Sequence, residues 1–237
     1  MIILNNQRCE MKILSAFIGI LVFSSTLLFA DSIGEQKETL TSEEISPNED
    51  LMREHGVLNR LLLIYQEIAR RIDNHEAFPV QILAKTAKIV RDFLEDYHEK
   101  LEEEYVFPQF VKANQHIELV RVLKDQHQVG RQLTDYILSH TSEADLKDEI
   151  QKMILADYLR LYVRMFRPHE AREDTILFPA FQKLLSKEEY MKLGDKFEDK
   201  EHELFGSAGF EGIVDQVAKI EQQLGVYNLA EFTPQLK

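Results

Sequence analysis

Cysteine is almost absent from this chain: Cys9 is the only one. A lone thiol closes no internal disulfide, and it removes thiolate zinc sites and iron–sulfur clusters from consideration. Any metal held here must use nitrogen and oxygen ligands. Glycine and proline are scarce, 9 and 6 of 237 residues, and the long stretches free of both favour helices over a strand-and-turn fold. Basic residues are outnumbered, 28 Lys and Arg against 41 Asp and Glu, for a net charge of −13. So acidic a surface repels nucleic acid and anionic membranes, and neither is expected as a partner. The 44% hydrophobic content suffices for one well-packed domain, with or without a helical appendage.

The N-terminus carries a targeting pattern. Lys12 precedes an apolar run from Ile13 to Leu28, which ends in Leu28-Phe29-Ala30 and turns polar at Asp31. This reads as a signal peptide over 1–30, with Met11 as an alternative start, cleavage after Ala30 and export, periplasmic in a cell with two membranes. Left uncleaved, the segment would anchor the protein to a membrane. Residues 31–46 are polar and mixed and read as a flexible leader.

Six further segments have helical patterning. Ser46-Pro47 opens the first helix, which runs to about Asn74. The second starts at Pro79, carries Ile82, Ile89, Phe93, Leu94 and Leu101 at helical spacing, and is expected to stop near Phe107-Pro108. The third covers 116–140. Ser142 is the expected cap of the fourth, which runs to about Leu185 with a kink at Pro168. Ser186-Lys187-Glu188-Glu189 is a capping box that starts a fifth, and Gly206 and Gly209 precede a final amphipathic helix ending at Gly225. The expected fold is all-α: an up-down-up-down four-helix bundle of two helix hairpins over 47–185, with a C-terminal helical extension over 186–237.

The hairpins repeat. Tyr97 to Phe110 reads YHEKLEEEYVFPQF and Pro168 to Phe181 reads PHEAREDTILFPAF, sharing H-E-x-x-E-[ED]-x-x-[VL]-F-P-x-F at an offset of 71. Upstream, His55 and His127 stand 72 apart, each at a similar distance before its block. Each hairpin thus has one histidine on its first helix and a His-Glu pair on its second. Face-to-face packing about a pseudo-twofold axis would bring together His55, His98, Glu102, His127, His169 and Glu173.

His98 and Glu102 are four apart and share a helix face with Leu94 and Leu101; His169 and Glu173 repeat this beside Tyr162 and Phe166. A carboxylate on a core-facing stripe is expensive without a partner, and cations between four imidazoles and two carboxylates would supply one. Imidazole plus carboxylate suits iron, manganese or zinc. Structural zinc favours a closed tetrahedron, whereas six donors with two potential bridges fit two octahedral-type ions better. Two iron ions are the expected cofactor, ahead of manganese or zinc.

This doubled H-x-x-x-E…F-P pattern, alternating with single histidines, resembles the hemerythrin HHE cation-binding domain family over about Leu51 to Leu185. The resemblance implies a four-helix bundle with a non-haem di-iron centre, in which His55, His98, Glu102, His127, His169 and Glu173 are ligands and the two glutamates bridge. It implies O2, nitric oxide or peroxide as the small-molecule partner. The oxygen carriers of the family place a second histidine four residues after the third-helix ligand, where this chain has Arg131. Arg131 is expected to pair with a bridging glutamate or hold an anion, and His202 is a candidate to fill the vacancy. The difference favours redox chemistry, small-molecule binding or iron sensing over reversible oxygen carriage. A ferritin-like di-iron oxidase or peroxidase uses two E-x-x-H motifs. This chain has one, Glu95 to His98, with Phe166 at the equivalent place before His169. A structural bundle with incidental histidines is opposed by the duplication.

Overall fold

Ser46 and Pro47 open the first helix as their residue types dictate. Ser46 is extended, its hydroxyl accepts the Glu49 N–H at 3.3 Å, and Pro47 takes the first helical position, where its missing N–H leaves no gap. Helix α1 runs Pro47–Asp73. The computed structural model describes residues 45–236, and every regular element among them is helical. The leader pattern, Cys9 and Met11 lie outside the described residues.

Helix α2 spans 80–113. It is α-helical over Val80–Ile89, widens to π geometry over Val90–His98, takes one α-turn at Glu99–Leu101, widens again over Glu102–Val106, and closes α-helically over Phe107–Ala113. It therefore continues beyond Phe107-Pro108, the stop expected from sequence. The wide turn is the physical reason. Phe107 N–H bonds to the carbonyl of Glu102, five residues back, and a loosened turn makes room for the proline ring that a regular α-turn would exclude.

Helix α3 is Ile117–Ser139, and α4 spans 149–184. Asp148, not Ser142, caps α4, accepting the N–H groups of Ile150 and Gln151 at 2.8 and 3.2 Å. Ser142 instead accepts the Asp145 N–H at 3.2 Å at the start of a separate 3₁₀ turn, Asp145–Lys147. Pro168 lies inside α4, and a π turn at Glu173–Leu177 precedes Pro179 as its counterpart precedes Pro108. Helix α5, Lys187–Phe205, begins at the expected capping box of Ser186 and Glu189, and α6, Gly209–Leu224, ends at Gly225 with φ 73°.

Helix α1 packs along α4, α4 along α3, and α2 against both α1 and α3. Leu61, Tyr65 and Ile68 meet Leu83, Phe93, Ile137, Leu155 and Leu159 in the shared core. The α3–α4 approach is close: a Cβ on Gly130 would stand 2.8 Å from the Phe166 ring. One turn along, His127 and His169 are thereby brought face to face. Helices α5 and α6 pack on α1, and α6 buries Ile213, Val217, Ile220 and Leu224. Among the described residues, no helix is long and apolar enough to cross a membrane.

Candidate metal centre

The repeated motif places its carboxylates by a local device. Glu102 and Glu173 each begin a π turn, and each stands six residues before a proline. Such turns are rare and concentrate at functional sites.

The six sequence-nominated side chains meet inside the protein, none more than 3% exposed. The Nε2 atoms of His55 and His98 face each other at 3.1 Å, and those of His127 and His169 at 3.2 Å. Glu173 Oε2 is 3.5 Å from His55 Nε2 and 3.1 Å from His169 Nε2, so it reaches both pairs. Glu102 Oε2 does the same, 3.8 Å from His98 Nε2 and 3.4 Å from His127 Nε2. The oxygens of both glutamates are buried without a hydrogen-bond partner. Orphaned buried oxygens are costly unless a cation meets them. Two groupings, Glu102/His127/His169/Glu173 and His55/His98/Glu102, bring their donor atoms close enough to hold a metal ion.

The outer nitrogens show why the inner ones face inward. His55 Nδ1 lies 2.7 Å from Asp174 Oδ1, His98 Nδ1 2.5 Å from Glu54 Oε2, His127 Nδ1 3.1 Å from Glu103 Oε1, and His169 Nδ1 2.9 Å from Gln126 Oε1. Each acceptor fixes the proton on Nδ1 and leaves the Nε2 lone pair pointing at the cluster, the tautomer a metal requires. The aromatic rings of Phe178 and Phe107, from the F-P motifs, stack on His55 and His127 at 5.5 Å each. The whole constellation obeys the pseudo-twofold repeat, down to Glu103 and Asp174 serving the opposite hairpin.

Burial and the neighbouring Glu173 charge push Glu102 well above the usual carboxylate range. Burial works the same way on Glu173, but His169 and His55 outweigh it and hold that carboxylate low. Burial, reinforced by His55, pushes His98 far down; burial and His169 bring His127 to about 4. Further out, burial raises Asp50 to about 7, Glu95 to about 7 and Glu54 to about 8. The sign for stability follows from proton counts. Above pH 6.5 the unfolded chain has lost these carboxyl protons while the fold retains them, so stability falls as pH rises toward 8. Below pH 6.5, unfolded imidazoles take up protons that His98 and His127 refuse, which opposes the trend. The metal-free protein is expected to lose stability as pH rises from 6.5 to 8, by about 1.4 kcal/mol per pH unit for each retained proton. Thermal melts in chelator from pH 5 to 8.5 check this; a melting temperature that climbs from 6.5 to 8 would show those carboxyls ionised in the fold.

Two expectations are corrected here. Arg131 does not pair with a bridging glutamate: its Nη2 sits 2.7 Å from Glu99 Oε2 and 2.8 Å from Glu103 Oε1. Four residues past His127, it lies a turn beyond the cluster, beside the flank of α2. His202 does not complete the cluster either; it lies on the wall of a cavity lined by Asp50 and Glu201. His75, His116 and His140 also stand outside these groupings. Glu95, the carboxylate of the one E-x-x-H motif, accepts from Thr134 Oγ1 at 2.5 Å and pairs with Arg91. The acceptors Glu54 and Gln126 were missed. The sequence gives only their shared position, each immediately before a repeated histidine at the same offset of 72, and not the histidine each one serves.

The model of the hemerythrin HHE cation binding domain matches residues 46–179. Proteins of Mycobacterium bovis and of two strains of Mycobacterium tuberculosis, each described as uncharacterized, are 43% identical to this chain over 231 residues, covering 96% of it and 91% of their own lengths. No solved structure matches significantly. The buried histidine and glutamate cluster, the doubled motif that builds it and this match agree, and the chain belongs to the hemerythrin HHE cation-binding domain family.

Proposed function

We propose that the protein holds two iron ions in an up-down-up-down bundle of α1 to α4 and uses them to bind or reduce a small oxygen or nitrogen species. One ion would be held by His55 and His98, the other by His127 and His169, with Glu102 and Glu173 each bridging both. The observation that carries this reading is the reach of each carboxylate to an imidazole of either pair. The donor set, imidazole and carboxylate without thiolate, fits iron, and less well manganese or zinc. Two nitrogens and two shared oxygens per ion leave coordination positions open for O2, nitric oxide or peroxide. The pair would supply the redox chemistry. The chain's own part is to fix the tautomers through Glu54, Asp174, Glu103 and Gln126, and to exclude water with Phe107 and Phe178. Arg131, where the oxygen carriers have histidine, supports redox or sensing use over reversible carriage.

Anaerobic loading with ferrous iron, removal of excess and metal analysis should give about two irons per chain. Retention of zinc alone, or of no metal, would overturn the reading. We place the protein outside the cytoplasm on the strength of Lys12 and the apolar run to Leu28. N-terminal sequencing of the mature chain is expected to begin at Asp31, and a mature chain beginning at Met1 or Met11 would count against cleavage.

A further inference from the structure

Beyond the histidine cluster, a cavity of about 190 Å³ opens among the first turns of α1, the end of α5 and the start of α6, with Asp50, Glu198, Glu201 and His202 on its wall. Asp50, Glu54 and Glu201 each bring a carboxylate oxygen within 4.8 Å of the others. We propose that these three carboxylates form a third cation site, distinct from the histidine cluster, that takes a hard divalent ion such as Mn²⁺.

Acidic residues gather on many proteins without an ion, so the case rests on what surrounds these three. Glu54 is completely buried, and while Oε2 is occupied by His98, Oε1 has no hydrogen-bond partner. The Tyr97 hydroxyl, also buried, faces the same carboxylates. Glu201 is held in place: its Oε1 accepts the Phe210 N–H at 2.9 Å, an approach that Gly209, with φ 43°, leaves room for. The cation at hand is Arg53, whose Nη1 stays 4.0 Å from Asp50 Oδ1 while its guanidinium lies over the Phe210 ring. That contact is too weak to balance three carboxylates.

The pseudo-twofold repeat sharpens the point. Glu54 corresponds to Gln126, and a neutral amide serves His169 Nδ1 as well as a carboxylate serves His98. A carboxyl at position 54 is therefore more than positioning a histidine needs. Asp50 corresponds to Val122, which is exposed and apolar. The acidic trio exists only in the half covered by α5 and α6, and Glu201 lies beyond the residues matched by the family model. An all-oxygen set with a histidine on the wall suits a hard first-row ion. Because Glu54 also accepts from His98, an ion on Oε1 draws charge away from that imidazole. Where the proposed iron pair is present, occupancy of the third site would tune its first ion.

The test uses the full chain, loaded anaerobically with iron, freed of excess metal and titrated with Mn²⁺ while the resonance of the free aquo ion is followed. About one Mn²⁺ per chain should bind without loss of iron. Glu201→Gln, which keeps the acceptor for Phe210 N–H, should weaken that binding about tenfold or more and leave the iron content unchanged; Asp50→Asn should do the same. Glu201-dependent uptake should persist in a chain carrying His127→Ala and His169→Ala, so the third site stands or falls apart from the iron pair. No Mn²⁺ uptake beyond the iron, or uptake that neither Glu201→Gln nor Asp50→Asn alters, would overturn the proposal.

Discussion

Glu102→Met is expected to strip the protein of its metal and, at the same time, to stabilise the metal-free fold. The two effects have one cause. Glu102 is completely buried, and no hydrogen bond satisfies either of its oxygens. Across the cluster stands Glu173, so in the absence of a cation the two carboxyls cannot both ionise, and Glu102 pays for desolvation with little in return. Methionine fills a similar volume with apolar atoms. In comparable settings, replacing buried ionic groups by well-packed apolar ones is neutral or stabilising by about 1 to 4 kcal/mol. If Glu102 bridges two ions as proposed, its loss should reduce retained iron from about two per chain to one or none. Denaturant unfolding of the chelated variant, set beside its iron content, reads both effects. A structural ion-pair network would respond the opposite way, with the metal-free variant losing stability as His98 and His127 lose a partner. That result would remove the reason for treating the cluster as a ligand set. The same logic predicts that iron raises the melting temperature of the native chain and not of the variant.

How much of this could be read in advance depends on the distance over which each signal acts. The six donors were legible because the hairpin repeat states them twice, and because a spacing of four on a helix is a statement about one face. The helix starts at Ser46 and Ser186 were legible for a similar reason, since a cap is settled within one turn of chain. Glu54 and Gln126 were not. A residue adjacent to a ligand points about 100° away from it around the helix, so Glu54 serves His98 on α2 and not its neighbour His55. Only packing reveals that partner. The early stop assigned at Pro108 came from a rule about regular α-turns, and the helix escaped it by widening the turn before the proline. At the start of α4, Ser142 and Asp148 both have capping side chains. Local chemistry could not decide between them, because Ser142 is spent on the 3₁₀ turn that precedes the helix.

Removal of Arg131 should be among the most damaging single changes. Glu99 is 2% exposed, and burial pushes its carboxyl well above the usual range, with Arg131 as the first opposing influence. Arg131 Nη2 reaches Glu99 Oε2 at 2.7 Å, Glu103 Oε1 at 2.8 Å and the Glu95 carbonyl at 3.4 Å. One guanidinium thus ties α3 to α2 beside the cluster and also restrains Glu103, the acceptor for His127 Nδ1. The repeat supplies an internal comparison. Asn59 is the counterpart of Arg131 and donates to Glu170, the counterpart of Glu99, at 3.1 Å. An amide suffices there because Glu170 is the more exposed of the two glutamates. Arg131→Met should therefore cost about 3 to 5 kcal/mol of folding stability at neutral pH, the usual penalty for leaving a buried charge without its partner. Arg131→Met combined with Glu99→Met should recover most of that loss, since the orphaned carboxylate goes with its cation. Equilibrium unfolding of both variants decides the matter. If the double variant were no more stable than the single one, the arginine would be acting through packing of its stem against α2 and not through the ion pair.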